Sequence, residues 1–164
     1  AAMDEINIVD TGSTDRTKEI AASYTDRVYD FRWTGSFSDA RNFSFSKATG
    51  DYIYCADADE LLDAENQQKL LQLKKQLENV PEIEIVQMYY VNQLQNGSVY
   101  NFDKEYRPKL FKRLRSFRWA DPIHEQVVTD PLVFDSEIEI IHRQQGSHAD
   151  RDLLAFERVL ERGE

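Results

Sequence analysis

Three acids, Asp57, Asp59 and Glu60, end the strand-forming run in "IYCADADELLDA" and stand directly before a helical pattern. Residues at i and i+2 share one face of a strand, so Asp57 and Asp59 can turn together towards one ligand where the chain leaves the pleat. Hard divalent cations such as Mn²⁺ or Mg²⁺ take oxygen ligands, commonly one or two carboxylates completed by substrate phosphate oxygens. The small Ala58 between the two acids leaves room for this. A solvated turn is the competing reading, because a DxD triplet alone is a weak signal. A second acid, Asp10, ends the apolar run "INIV" and is followed by "TGSTD".

The elements that must hold these acids alternate in type. "DEINIVD" reads as a strand, and "TGSTDRTKEIAASY" as a glycine turn followed by a short helix capped by Ser13 or Thr14, with Asp15 in its first turn. "DRVYDF" is a second strand. "RWTGSFSDARNFSFSKATG" is a loop and a helix that Gly50 closes, and "DYIYCADADE" is a third strand. From Asp63, a candidate N-cap, Leu70, Leu73, Leu77 and Val80 recur at helical spacing until Pro81 stops the helix. "IEIVQMYYVNQLQ", the Asn96-Gly97 turn and "VYNFD" form a hairpin, since Asn-Gly supplies the positive φ angles a tight turn needs. "IHEQVV" and "EIEIIH" are later strands, and Leu153, Phe156 and Leu160 mark an amphipathic helix.

Strand and helix alternate in the first half and hairpins dominate the second, which predicts an α/β fold with a mostly parallel, mixed sheet. In open sheets of this kind ligands bind at the carboxyl ends of strands, where Asp10 and the Asp57/Asp59 pair both fall, so the two acidic ends read as one site. A length of 164 residues suits a single domain with a real core. Acids outnumber Lys and Arg by 30 to 20, a net charge of −10 that disfavours nucleic acid and anionic lipid as partners. No apolar run approaches the roughly 20 residues that span a bilayer, so membrane contact is at most peripheral and the expected location is cytoplasmic. The single cysteine, Cys55, sits in an apolar run and reads as a buried thiol.

"INIVDTGSTDRTKEIA", "SFSDARNFSFSKATGDYIYCADADE", and later "RPKLFKR", "RWADPIHE" and "IIH" together resemble glycosyltransferase family 2, the inverting enzymes of the GT-A fold. The resemblance is nearest to a bacterial subgroup with lipopolysaccharide-core glucosyltransferases and peptide glycosyltransferases. It covers residues 4 to 142 and implies a Rossmann-like GT-A domain over 1–164, with a nucleotide-sugar half at about 4–62 and an acceptor half at about 63–164. It also implies a strand and helix ahead of "DEINIVD", where this sequence has only Ala1-Ala2-Met3. The expectation is therefore a domain truncated at its N-terminus, with the first strand missing.

Site roles follow from the same resemblance. Asp10, with Thr11 and Gly12, is similar to the acid that binds the base or ribose of the donor, and Arg41 and Asn42 to residues lining the nucleotide pocket. Asp59 and Asp57 resemble the Mn²⁺ or Mg²⁺ motif, with Asp57 nearer the ribose, and His142 the histidine that completes the metal or diphosphate site. An inverting transfer needs a base across the sugar from the leaving group, and Glu125, with His124 second, fits that place. Each has a plainer alternative: a turn-capping acid, an incidental helix start, a loop-ordering His-Glu pair, a structural strand-end histidine. The basic run Arg107, Lys109, Lys112, Arg113, Arg115 and Arg118 can meet a phosphorylated acceptor or the diphosphate, or form a solvated face.

The implied activity is metal-assisted transfer of a hexose, from a UDP-sugar above other nucleoside-diphosphate sugars, to a glycan, lipid-linked or peptide acceptor. A non-catalytic nucleotide or cation-binding module, or an inactive fragment, is the alternative. A nucleotidyltransferase would carry a Gly-rich basic N-terminal loop, which is not seen here.

Overall fold

The computed structural model describes residues 2–93, 99–100, 105–113, 119–120, 126–127 and 131–143. In chain order these form β1 (Ile8–Asp10), α1 (Thr17–Ala22), β2 (Val28–Asp30), α2 (Phe37–Lys47), β3 (Tyr52–Tyr54), β4 (Glu60–Leu61) and α3 (Ala64–Leu77). Then come β5 (Ile85–Gln93), β6 (Val99–Tyr100), β7 (Tyr106–Lys112), β8 (Trp119–Ala120), β9 (Gln126–Val127) and β10 (Val133–His142). The described elements fall into two compact units, one of residues 3–50 with β8 and β9, the other of residues 51–113 and 131–143. Within the second unit β3 hydrogen-bonds antiparallel to β7, so the strand that leads into the DxD turn belongs with the later strands.

In the first unit β1 and β2 pair in parallel, Ile8 with Val28 through Asp10 with Asp30, with α1 as the crossover between them. Neither Ser13 nor Thr14 caps α1. The Ser13 N–H already donates to Asp10 Oδ2 at 3.0 Å, so the chain is still turning there. Arg16 is the N-cap residue and makes no side-chain cap bond; Asp15 Oδ1 accepts from the Thr17 N–H at 2.9 Å instead. Ser36 caps α2 by accepting from the Asp39 N–H. Gly50 does not close α2. The helix ends at Lys47 and Ala48 is already extended, because the Thr49 N–H and hydroxyl both donate to Glu5 and draw the chain out straight. Among the described glycines only Gly12 and Gly35 have positive φ.

The second unit is a mixed sheet in the order β3-β7-β5-β10-β4, with β6 added to β5. Its one parallel pairing among the described strands is β5 with β10; the other pairings are antiparallel, a smaller parallel share than strand and helix alternation suggests. Asp63 caps α3 by accepting from the Asn66 N–H at 2.8 Å. Leu70, Leu73 and Leu77 are buried as their spacing predicts, and with Val86, Met88, Phe111 and Ile140 they form the core. Val80 lies past the end of α3 and is 43% exposed. Cys55 is half-buried, at the start of the turn that follows β3, so it is less enclosed than its apolar neighbours predict.

Two irregularities set the register near the acids. Between Asp135 and Glu139, four residue steps on β10 oppose two on β5. Side chains take up the donors this frees: the Ile138 N–H points to Ser136 Oγ, and the Glu139 N–H donates to Oδ1 of buried Asn66 at 2.8 Å. In β7, Leu110 faces Val86 and Pro108 faces Gln87, which leaves Lys109 as the extra residue of a bulge. Proline lacks a ladder donor and bulges re-aim the side chain beside them, so Pro108 and Lys109 belong together there. The Asn96-Gly97 turn and the helix expected at Leu153, Phe156 and Leu160 lie outside the described residues.

Candidate active site

The DxD segment is a turn closed on itself. The Glu60 N–H donates to the Asp57 carbonyl and the Asp57 N–H donates to Glu60 Oε2, each at 3.1 Å. The bulge of β7 drives Lys109 beneath this turn, where its Nζ lies 2.5 Å from Glu60 Oε1 and 3.4 Å from Asp57 Oδ2. Both members of the inner pair are buried, with the Glu60 side chain 1% and the Lys109 side chain 6% exposed. Burial pushes the Glu60 carboxyl up, and the Lys109 ammonium opposes that rise. Burial also raises the Tyr54 phenol, with Glu60 adding to it.

Asp59 turns the other way. Its Oδ2 lies 3.0 Å from Nε2 of His142, whose Nδ1 lies 3.1 Å from Oδ1 of Asn92. The sheet sets this row: His142 faces Asn92 on β5 and Glu60 on β4, and the Arg143 N–H donates to the Asp59 carbonyl. The Tyr90 ring lies 5.1 Å from the His142 ring, and the Arg107 guanidinium stacks 3.6 Å above Tyr90. Burial raises the Tyr90 phenol, opposed by the Arg107 charge. Side-chain exposures of 31% for Asp59 and 16% for His142 leave the pair open to a ligand.

In the first unit, Asp10 is buried and its Oδ2 accepts from the N–H groups of Gly12, at 3.1 Å, and Ser13. Gly12 has φ +115°, which turns its N–H back onto the acid. Hydrogen bonds from Ser13, then Gly12, hold the Asp10 carboxyl below its ordinary value despite its burial, and Lys18 lies 3.9 Å away. Thr11 is exposed at the crest of this turn. Asn42 pairs through both amide atoms with the Trp119 backbone, giving to its carbonyl at 3.1 Å and accepting from its N–H at 3.0 Å. The Arg41 guanidinium lies 5.0 Å over the Trp119 ring, so both residues anchor β8.

The structure thus brings Asp59 and His142 together, and places Asp57 with Lys109 and Glu60. Asp10, Thr11, Gly12, Arg41 and Asn42 belong to the other unit. His124 and Glu125 lie outside the described residues. Among the described residues no three His, Cys, Asp or Glu side chains converge as a cation cage. One carboxylate oxygen and one imidazole nitrogen suit Mn²⁺ whose remaining positions are taken by phosphate oxygens and water. Sequence reasoning missed Lys109 as a buried cation and Asn92 altogether. The proline in "YRPKLFK" is a bulge signal that pointed to Lys109; Asn92 carries no comparable signal.

The protein-family model for glycosyl transferase family 2 matches residues 2–147. The chain belongs to this family. Curated relatives of this family 2 chain include a TPR repeat-containing protein of Synechococcus elongatus, 33% identical over 80% of this chain and 30% of that protein. The prophage-derived glycosyltransferase SunS of Bacillus subtilis is 29% identical over 76% of this chain and 28% of its own length. The chain therefore spans less than a third of these relatives. Among solved structures, S. aureus TarS in complex with UDP-GlcNAc superposes with a TM-score of 0.58 at 14% identity, covering 89% of this chain and 51% of TarS. A second TarS structure gives a TM-score of 0.52 at 18% identity, over 66% of this chain and 37% of that one. The family 2 chain thus has a GT-A-like fold. Among the described residues no helix is long and apolar enough to cross a membrane.

Proposed function

We propose that this chain is the donor-binding and catalytic domain of an inverting glycosyltransferase that moves a hexose from a nucleoside-diphosphate sugar to a nucleophilic acceptor. The observation that carries the reading is the Asp59–His142 pair, held open at the DxD strand end of a chain whose family match runs over residues 2–147. The UDP-GlcNAc bound by TarS favours a UDP-sugar as donor. The acceptor is a glycan, lipid-linked or peptide nucleophile, and a cytoplasmic location accords with such a donor.

Asp59 and His142 would hold Mn²⁺ or Mg²⁺, which when bound neutralises the diphosphate leaving group. Lys109 cancels one of the two charges of Asp57 and Glu60, leaving the turn anionic enough to attract a cation without mutual repulsion opening it. Asp10 holds its turn closed at the end of β1, where the donor's base or ribose would bind. Glu125, with His124 second, takes the acceptor proton on the far side of the sugar.

Thermal unfolding of the chain and of Asp59→Asn, with UDP, UDP-GlcNAc, UDP-glucose, GDP or ADP and with or without Mn²⁺, tests this reading. A ligand at a hundred times its dissociation constant adds about 2.7 kcal/mol of stability. A Mn²⁺-dependent rise with a UDP compound, lost in Asp59→Asn, is the expected result; no rise with any nucleotide overturns it. Glu125→Gln should keep the rise and lose transfer, and a Glu125→Gln protein that transfers normally removes Glu125 from the base role.

A further inference from the structure

We infer that Asn92 is a positioning residue that fixes the His142 ring so that Nε2 presents its lone pair to a divalent cation held with Asp59. The inference rests on the metal-assisted reading above. Both nitrogens of His142 face oxygens: Nδ1 lies 3.1 Å from Asn92 Oδ1 and Nε2 lies 3.0 Å from Asp59 Oδ2. A neutral imidazole has one N–H, so it can donate to only one of these oxygens. Were His142 and Asp59 to hold a cation, the single proton would sit on Nδ1 and donate to Asn92, leaving Nε2 and the carboxylate free to bind it. An acceptor behind the remote nitrogen is the usual way a protein orients a histidine ligand and sets its tautomer.

The backbone makes this placement stiff. Asn92 and His142 are direct partners in the parallel β5–β10 ladder, and the β10 irregularity between Asp135 and Glu139 is what brings 142 level with 92. The Tyr90 ring, clamped by Arg107, limits rotation of the imidazole on its other side. Among the described residues the Asn92 side chain hydrogen-bonds to His142, so it acts through that ring.

The test is direct Mn²⁺ binding in the presence of UDP, followed by the EPR signal of free ion, with pulsed EPR of bound Mn²⁺ to detect ¹⁴N coupling. Wild type should show imidazole nitrogen coupling that His142→Ala abolishes. Asn92→Leu should bind Mn²⁺ about 10- to 100-fold more weakly, the range for removing such a partner. Asn92→Asp, which keeps an acceptor oxygen, should retain wild-type affinity or exceed it. Asn92→Leu binding within twofold of wild type, or Asn92→Asp as weak as Asn92→Leu, overturns the inference and leaves the metal reading standing. Wild-type Mn²⁺ with no nitrogen coupling also overturns it, independently of how the variants fold. Absence of Mn²⁺ binding with UDP overturns both readings.

Discussion

Asp10 and the Asp57–Glu60 turn are the same device in sequence, an acid where a strand ends, yet they are held by opposite means. Asp10 is satisfied locally, by N–H groups two and three residues further on, and its carboxyl is held below the ordinary range. Glu60 is satisfied at long range, by an ammonium 49 residues away, and burial pushes its carboxyl up. Backbone donors are fixed wherever the turn forms, whereas a buried ammonium depends on the whole sheet being in register. An acid in the first setting is a self-contained anion; one in the second is a component of a network that also takes in Lys109 and Asp57.

The largest effect expected is at the network. Lys109→Met leaves Glu60 buried without its cation and should cost about 3–5 kcal/mol in urea unfolding, and combining it with Glu60→Gln should recover much of that loss. A single substitution costing less than 1 kcal/mol would show that water reaches the pair and that the contrast is false.

At the local turn, Asp10→Ala should cost about 1–2 kcal/mol, as loss of a capping acceptor does. The sign with pH sharpens this. The Asp10 carboxyl is lowered from an ordinary value of 3.8, so its contribution is present above that pH and is lost as pH falls through its lower folded value. Stability measured from pH 6 to pH 3 should therefore decline more steeply for wild type than for Asp10→Ala.

The smallest effect marks the background. Arg16 and Glu19 form an ion pair at 2.8 Å on side chains 76% and 66% exposed. Arg16→Ala should leave the urea unfolding midpoint nearly unmoved, and salt should erase even a small shift. A larger loss would mean that α1 depends on this pair because it lacks a side-chain cap.

The same contrast explains what could be read from the sequence. The Asp10 turn, the Asp63 cap, the leucine stripe of α3 and the strand ends are local patterns, and all are legible. Ser13 misled as a cap because its N–H had a nearer use with Asp10, and Gly50 misled because Glu5, 44 residues earlier, claims Thr49. Lys109 read as one cation of a basic face because alternation ignores a bulge. The pairing of His142 with Asp59 spans 83 residues, and that with Asn92 spans 50. Family resemblance supplied the first; neither spacing nor composition contains the second.

The position of β10 carries a consequence for how the domain comes into being. It is the last described strand in chain order, yet it lies inside the sheet, between β5 and β4. As the chain leaves the ribosome, β5 and β4 must wait with open edges until β10 arrives between them, and open edges invite wrong pairing. His142 sits at the far end of that late strand, so Asp59 and Asn92 gain their shared partner only when the sheet is finished. The row Asp59–His142–Asn92 is thereby set by the strand that joins the sheet last, and no earlier stretch of chain can assemble it alone.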